Sequence, residues 1–584
     1  MKKFFKLVLA NLVAGIILLF VFFLFLIGAI AGMAAMGSSE ITVKDNSILQ
    51  INMDYQMPDR AMQGAMPSLG GTRTLGLNSA IEAIRRAKTD DRIRGIFLNL
   101  SNANPTNLGT LQELRQTIEE FRESGKFVWA YSNSYSQGMF YLASVADRVY
   151  IHREGILDFR GLSSQIFFLK GTLEKLGVDM QIVRYGEFKS AVEPFMADRM
   201  SPENRIQTQQ YLNCLWNSIL TDISRDRNIS KDELNRIADG VLAMFPNDAK
   251  ELNMVDGVLS GTGEMLRLLA EAVDVEEIED LEFIELRRYA RAPAPRERGR
   301  SRDRIAVIYA QGEIVNGRGS STNIGTVNIP RAIRNAANND RVKAIVLRVN
   351  SPGGSVITSE IIRQEILAAM EKKPVVVSFG SVAASGGYWI SGDANAIFAQ
   401  PTTITGSIGV FGVIPNAQRL FNEKLGVTFD HVSTNPNADF LNLTRPMTSF
   451  ERQKMQRFVD NAYYTFIEQV AAGRNLTKSH VDSIGQGRVW SGIDAKNLGL
   501  IDEIGGLQDA IARAAELAEI ENFRILTLPR EMDPFEQLME MLGNARTRMI
   551  RSEMGRWFPM YEFVRSIPQE ASVIARKPYV STIQ

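Results

Sequence analysis

One cysteine, Cys214, and three histidines, His152, His431 and His480, are all that 584 residues supply of these types. A single thiol excludes an intramolecular disulfide and a cysteine-built metal centre. Three scattered histidines argue against a zinc enzyme or a histidine-rich relay. An excess of either charge is missing too. The 66 basic and 66 acidic residues balance to a formal net charge of zero, so no overall basic field points to nucleic acid. Apolar residues are plentiful at 45%. The chain is too long for one ordinary domain, and two or more are expected.

The N-terminus holds the one long apolar run. Lys2, Lys3 and Lys6 precede an uncharged stretch from Leu7 to Ser39. A bilayer core needs about 20 apolar residues, and this stretch exceeds that. Lysines before a span favour a cytoplasmic N-terminus, which places the rest of the chain across the membrane. The expectation is a retained single-span anchor over residues 1–38. A cleaved signal peptide, with Ala29-Ile30-Ala31 as its cleavage site, is the competing reading, but the apolar region is long for one.

Beyond the anchor the chain repeats itself. Asp91-Arg92-Ile93-Arg94-Gly95-Ile96-Phe97-Leu98 recurs as Asp340-Arg341-Val342-Lys343-Ala344-Ile345-Val346-Leu347, an offset of 249. Lys175-Leu176-Gly177-Val178 recurs as Lys424-Leu425-Gly426-Val427 at the same offset, and Asp248-Ala249-Lys250 as Asp494-Ala495-Lys496. Such self-similarity means two copies of one domain. Each copy alternates short apolar strands with helical patterns: Gly95–Leu100 strand, Leu111–Arg122 helix, Phe127–Tyr131 strand, then a helix near Phe140–Val145. That alternation predicts α/β units with parallel strands. The expected organisation is a first domain over 45–286, an Arg- and Pro-containing exposed linker over 287–304, a second domain over 305–528 and a tail over 529–584.

Ser381-Val382-Ala383-Ala384-Ser385-Gly386-Gly387-Tyr388-Trp389 stands out within the second copy. The apolar run Pro374-Val375-Val376-Val377 before it reads as a buried strand, and the aromatics after it suit a helix start. Ser385 thus falls on a small-residue turn between strand and helix. That geometry can present a hydroxyl to a pocket while N–H groups of the helix start stabilise an anion.

Comparing the copies sharpens this. The second has Asn350-Ser351-Pro352-Gly353-Gly354-Ser355, a glycine pair at a strand end that exposes backbone N–H groups to a ligand oxygen. The first has Ser101-Asn102-Ala103-Asn104-Pro105 there, and Ser136-Gln137-Gly138 where the second has Ser385-Gly386-Gly387. The reverse loss comes later. Lys189 follows Lys175-Leu176-Gly177-Val178 in the first copy, whereas the second, after Lys424-Leu425-Gly426-Val427, has no lysine before Lys454. Two degenerate halves that complement each other suggest one composite site, with Ser385 from one copy and Lys189 from the other.

These motifs, with Thr405-Gly406-Ser407-Ile408-Gly409-Val410-Phe411-Gly412 and Lys189-Ser190-Ala191-Val192-Glu193-Pro194-Phe195, resemble the signal peptide peptidase A (protease IV) family in its long two-domain bacterial form. The resemblance implies a tandem repeat of two Clp protease/crotonase-like α/β domains after the transmembrane helix. It implies a Ser/Lys dyad, with Ser385 as nucleophile, Lys189 as general base and Ser407 orienting the lysine. The oxyanion hole it implies is formed by the N–H groups of Gly354 and Gly386. No metal or other cofactor is called for. The implied substrates are hydrophobic peptides, including signal peptides left in the membrane. The implied assembly is a bowl-shaped homo-oligomer, a homotetramer, on the bacterial inner membrane with its catalytic domains on the periplasmic side.

Three alternatives remain at this level. A Ser-His-Asp triad would use His431, although Phe429-Asp430-His431-Val432 reads as a strand, where a lone polar side chain is usually structural. A crotonase-like acyl-CoA enzyme would use the same oxyanion geometry, and a non-catalytic scaffold would use the glycine turns for packing alone. In the tail, Asp533–Glu553 has the apolar spacing of an amphipathic helix, followed by Trp557, Phe558, Met560, Tyr561 and Phe563. Packing on a neighbouring subunit or contact with the membrane surface would each use such a face.

Overall fold

Alternating residues of an almost purely apolar strand face opposite ways, so a parallel strand of this kind needs helices on both sides. Arg304-Ile305-Ala306-Val307-Ile308-Tyr309-Ala310-Gln311 shows the result. Ile305, Val307 and Tyr309 pack with one set of helical side chains, and Ala306, Ile308 and Ala310 with another. The computed structural model describes residues 41–60, 74–104, 106–293, 301–320 and 322–530, with the short stretches 13–15, 17–21, 573–576 and 582–583.

The first repeat contributes β1 (Ser47–Asn52), α1 (Leu77–Thr89), β2 (Ile93–Asn99), α2 (Leu108–Arg122), β3 (Phe127–Ser132), α3 (Gln137–Ala143), β4 (Arg148–His152), β5 (Asp179–Tyr185), α4 (Pro202–Arg227), β6 (Gly257–Leu259) and β7 (Phe283–Glu285). The second contributes β8 (Arg304–Gln311), α5 (Asn328–Ala337), β9 (Val342–Ser351), β10 (Gly353–Ser355), α6 (Val356–Met370), β11 (Val375–Ala384), α7 (Gly386–Trp389), β12 (Ala396–Ala399), β13 (Ile404–Gly406), β14 (Val410–Asn416), α8 (Ser449–Gly473), β15 (Val489–Ser491), β16 (Glu503–Ile504), α9 (Leu507–Leu517) and β17 (Arg524–Leu528). Near the end lies β18 (Val573–Arg576).

The expected α/β duplication is present in the strand order. The first sheet runs β6-β4-β3-β2-β1-β7, with every neighbouring pair parallel. The second repeats it as β16-β12-β11-β9-β8-β17, again parallel throughout. The repeats differ at one strand. β3 stops at Ser132, whereas its counterpart β11 continues to Ala384. The extra length of β11 pairs with β13, which in turn pairs antiparallel with β15.

A third sheet, β10-β18-β14-β5, joins the two halves. β5 of the first repeat pairs antiparallel with β14 of the second, from Asp179 opposite Asn416 to Tyr185 opposite Val410. Away from this sheet, α2 lies against the second repeat. Arg348 at its centre is 1% exposed and donates to Asp59 at 2.9 Å, to Glu113, and to Ser378 Oγ at 2.8 Å.

Three sequence expectations meet the fold differently. The anchor over residues 1–38 lies largely outside the described residues. Residues 13–15 and 17–21 are helical, and no helix among the described residues is long and apolar enough to cross a membrane. The linker does not begin as exposed chain at Arg287. Leu286–Tyr289 is helical, Tyr289 is buried, and its hydroxyl donates to Asp90 at 2.9 Å. Residues 429–432 form no strand, since no neighbouring strand supplies the ladder, and Val432 is wholly exposed. The amphipathic pattern of 533–553 and the aromatics at 557–563 lie outside the described residues.

Candidate active site

Ser385 sits where β11 ends. Its N–H donates to the carbonyl of Gly406 at 2.8 Å, and its own carbonyl accepts from Trp389 N–H at 2.8 Å, which opens α7. Those two bonds hold the residue at φ 55° and ψ −115°. A non-glycine residue at positive φ costs roughly 1–3 kcal/mol and persists where the surroundings over-determine it. Ser136, 249 residues earlier, has an ordinary extended backbone and an exposed side chain.

Lys189 reaches Ser385 through strand register. Because Tyr185 lies opposite Val410, the chain leaving β5 runs alongside Gly409, Ile408 and Ser407. Lys189 comes four residues after Tyr185. Its Nζ lies 2.9 Å from Ser385 Oγ, 3.0 Å from Ser407 Oγ and 3.0 Å from Ser407 O. All three residues are fully buried. Burial alone, with no neighbouring charge contributing, holds the lysine amine well below its usual range. An unpaired amine out of water favours the neutral form, because the ammonium loses its hydration. Phe411 adds an apolar wall, its ring centre 6.0 Å from Nζ.

Ser407 is itself held at positive φ, 52°, with its N–H donating to Arg488 O at 2.7 Å. The glycine turn lies against the Ser385 turn. A Cβ added to Gly386 would sit 3.1 Å from Gly354 N, and one added to Gly354 would strike Ile314 O at 1.9 Å. Gly386 opens α7, where the first N–H groups have no partner within the helix. Two glycine turns thus adjoin beside a buried hydroxyl, and backbone N–H groups placed so are of the kind that stabilises a developing oxyanion.

His431 stands apart from this cluster. Its side chain is 60% exposed and lies 3.7 Å from Asp439. His152 accepts from Glu154 N–H, and His480 meets the Leu498 carbonyl. The sequence reading missed the slot around the lysine. Gly487 and Gly409 both abut Lys189, and a Cβ on either would come within 3.1 Å of its atoms. Gly487, two residues before β15, was the available signal. Nothing local says that it faces a residue in the other repeat.

The profile of Peptidase family S49 matches residues 120–276 and 368–521, one stretch in each repeat. Protease 4 of Salmonella typhi is 39% identical over 479 residues, covering 80% of this chain and 76% of its own. Protease 4 of Haemophilus influenzae is 32% identical over 590 residues, covering 95% and 93%. The chloroplastic serine protease SPPA of Arabidopsis thaliana is 30% identical over 515 residues, covering 87% and 74%. These likenesses define a serine protease on a duplicated α/β fold. The chain belongs to peptidase family S49. That membership sets aside the acyl-CoA and scaffold alternatives.

Proposed function

We propose that this chain is a membrane-anchored endopeptidase with a Ser/Lys dyad, in which Ser385 is the nucleophile and Lys189 the general base. The single observation that supports it is the 2.9 Å approach of a fully buried, charge-isolated lysine amine to Ser385 Oγ. A lysine with its usual pKa of about 10.4 is neutral in only about one molecule in a few thousand at neutral pH. Burial changes that. A neutral amine has one lone pair and two N–H bonds. The lone pair takes the Ser385 proton, and the N–H bonds donate to Ser407 O and Ser407 Oγ. Ser407 thereby aims the base.

The chemistry follows from those positions. Ser385 Oγ attacks the scissile carbonyl carbon as its proton passes to Lys189 Nζ. The carbonyl oxygen gains the electron pair and is held by the N–H groups of Gly354 and Gly386. The carbon–nitrogen bond then breaks, and the lysine ammonium gives its proton to the departing amine. Water attacks the resulting ester, Lys189 takes the water's proton, and that proton returns to Ser385 Oγ as the acid product leaves.

An extended peptide suits the cleft. β18 lies antiparallel between β10 and β14, with Ala575 opposite Gly354 and Ile574 opposite both Ser355 and Phe411. A substrate segment adding a strand at that place would run past the oxyanion glycine, and main-chain bonds would supply affinity with little sequence demand. This accords with hydrophobic peptides, signal peptides among them, as substrates. The apolar run at 7–39 would hold the chain in the bacterial inner membrane, with the catalytic domains on the periplasmic side. Self-association as a homotetramer is part of the reading. Leu425, Val427, Phe429 and Val432 are 59%, 43%, 52% and 100% exposed, and an apolar surface of that kind favours a partner.

The test is intact-mass analysis of the full chain in detergent after treatment with a fluorophosphonate, beside Ser385→Ala and Lys189→Ala. One adduct on the parent and none on either variant is the expected result. Labelling that persists in folded Lys189→Ala would remove the lysine from the role of base.

A further inference from the structure

The lysine that approaches Ser385 is not part of a helix or a strand. Lys189 has φ −74° and ψ 77° and lies between β5 and a single 3-10 turn over Ser190–Val192. Regular hydrogen bonding does not fix its backbone, so its aim depends on what grips the residues on either side.

One side chain grips both. Gln207 lies on α4 and is 2% exposed. Its Nε2 donates to Phe188 O at 3.0 Å and to Ser190 Oγ at 2.9 Å, the residues immediately before and after Lys189. Its Oε1 accepts from Val489 N–H at 3.2 Å. Val489 belongs to the second repeat. It opens β15, where it pairs with Gly406, whose carbonyl takes the Ser385 N–H. The preceding residue, Arg488, supplies the carbonyl that accepts from Ser407 N–H. The amide therefore ties the lysine loop of one repeat to the strand that fixes both serines in the other.

The amide is itself anchored. Nε2 lies 3.3 Å from Asn204 Oδ1, and Asn204 Nδ2 donates to Glu193 Oε2 at 2.8 Å. Glu193 is 3% exposed and also accepts from Ser201 Oγ at 2.6 Å and Ser201 N at 3.2 Å. Ser201 caps α4, accepting from Asn204 N–H. The start of α4 is thus pinned to the segment that follows Lys189.

We infer that Gln207 is a positioning residue for the catalytic lysine, setting the distance between Lys189 and the two serines across the repeat boundary. This rests on the dyad reading above. Loss of the amide removes the side-chain tie of Phe188 O and Ser190 Oγ to the second repeat, leaving Phe188 N–H on Gln486 O at 2.9 Å as the backbone link, and leaves Val489 N–H without its partner. The lysine then drifts from Ser385 Oγ and gains access to water. Displacements of about 1 Å at a reacting centre cost about 100-fold in rate. The charged groups around the loop are Glu187 on the loop itself, which is exposed, Glu193, held by Ser201 and Asn204, Arg184, which donates to Lys189 O at 3.5 Å, and Arg488, stacked between Phe188 and Trp490. Gln207→Leu removes none of these charges, so a change in the lysine's titration would report its solvation.

The experiment compares the full chain in detergent as parent, Gln207→Leu, Ser190→Ala and Ser218→Ala. Ser218 lies further along α4, where it accepts from Gln112 at 3.3 Å, and serves as a control for helix packing. The readouts are fluorophosphonate labelling rate against pH, peptide kcat and KM, and melting temperature. Gln207→Leu is expected to lower labelling rate and kcat by about 10- to 100-fold with KM within about twofold. The pH midpoint of labelling rises, because a better-hydrated amine keeps its proton to higher pH. Ser190→Ala shifts the midpoint the same way by less, and Ser218→Ala does not shift it.

A parent that fails to label at Ser385 would remove the dyad reading and this inference together. A labelled parent with an unmoved midpoint and kcat in Gln207→Leu would overturn the inference alone. So would a loss that tracks melting temperature without moving the midpoint. Should Gln207→Leu not fold, an unmoved midpoint in Ser190→Ala overturns it.

Discussion

A Cβ on Gly487 would lie 2.6 Å from the Cβ of Lys189. The glycine is at φ 79°, so a side chain there is strained as well as obstructed. The slot for the lysine thus exists because residue 487, almost 300 positions away in sequence, has no side chain. Gly487→Ala is expected to displace Lys189 and lower kcat by about 100-fold while leaving KM nearly unchanged, as misplacing the proposed base would. Steady-state peptide cleavage checks it. A fully active Gly487→Ala protein would mean that the lysine tolerates the shift.

Lys189 also predicts how stability varies with pH. Its folded-state pKa is depressed by burial, whereas the unfolded chain holds the proton up to about 10.4. Between those two values the unfolded state binds one more proton than the native state. Stability of the parent therefore rises with pH across that window, by about 1.4 kcal/mol per unit for this group. Lys189→Met removes the linkage. In urea titrations repeated along the pH axis, the parent should gain stability relative to Lys189→Met as pH rises toward about 10.4, with no further gain beyond it. A constant difference across the range would show a lysine that is not depressed. Under the proposed dyad, activity is expected to have the same direction, present above the folded pKa and lost as pH falls through it.

Arg348 is the charge at the centre of the contact between repeats. It is 1% exposed and is held by Asp59, Glu113, Ser378 Oγ and the Phe379 carbonyl. Asp59 also accepts from Asn350, the residue that opens the Asn350-Ser351-Pro352-Gly353-Gly354 turn. Arg348→Leu would leave two buried carboxylates uncompensated. Breaking a buried pair from one side costs about 3–5 kcal/mol. A chemical-denaturation midpoint close to that of the parent would contradict this.

The strand at 573–576 occupies the place proposed for substrate, between Gly353–Ser355 and Phe411–Gly412. A segment that fills that place part of the time raises the apparent KM in inverse proportion to the fraction of molecules left free. A chain ending at Arg530 is expected to show a KM for an apolar peptide several-fold lower, about two- to tenfold, with kcat unchanged. An equal or higher KM in the truncated protein would mean that the strand does not compete.

Much of the candidate site was legible in the sequence, and the reasons are local. Ser385 lies in a run of small residues between an apolar strand and aromatics, and the backbone there does turn from β11 into α7. Lys189 was legible from its presence in one repeat and absence from the other. The glycine pair at 353–354 was legible as a turn at a strand end. The role proposed for Ser407, and the assignment of Gly354 and Gly386 as the oxyanion pair, come from the resemblance. The strand expected at 429–432 failed because β-like composition forms a strand only where another strand offers its backbone groups. Gln207, Gly487 and Arg348 were not legible, since each acts on a residue in the other repeat through contacts that no spacing encodes.

The sequence by itself determined the duplicated α/β units, because apolar periodicity and turn residues act within a few positions of themselves. It also determined which repeat kept the serine and which kept the lysine. Only the tertiary structure decided that these two meet. The antiparallel register of Tyr185 on Val410 sets where Lys189 falls along Ser407, and that register joins two strands more than 200 residues apart in sequence. The depression of the lysine pKa was decided there too, since it comes from exclusion of water by both repeats together and is a property of neither alone.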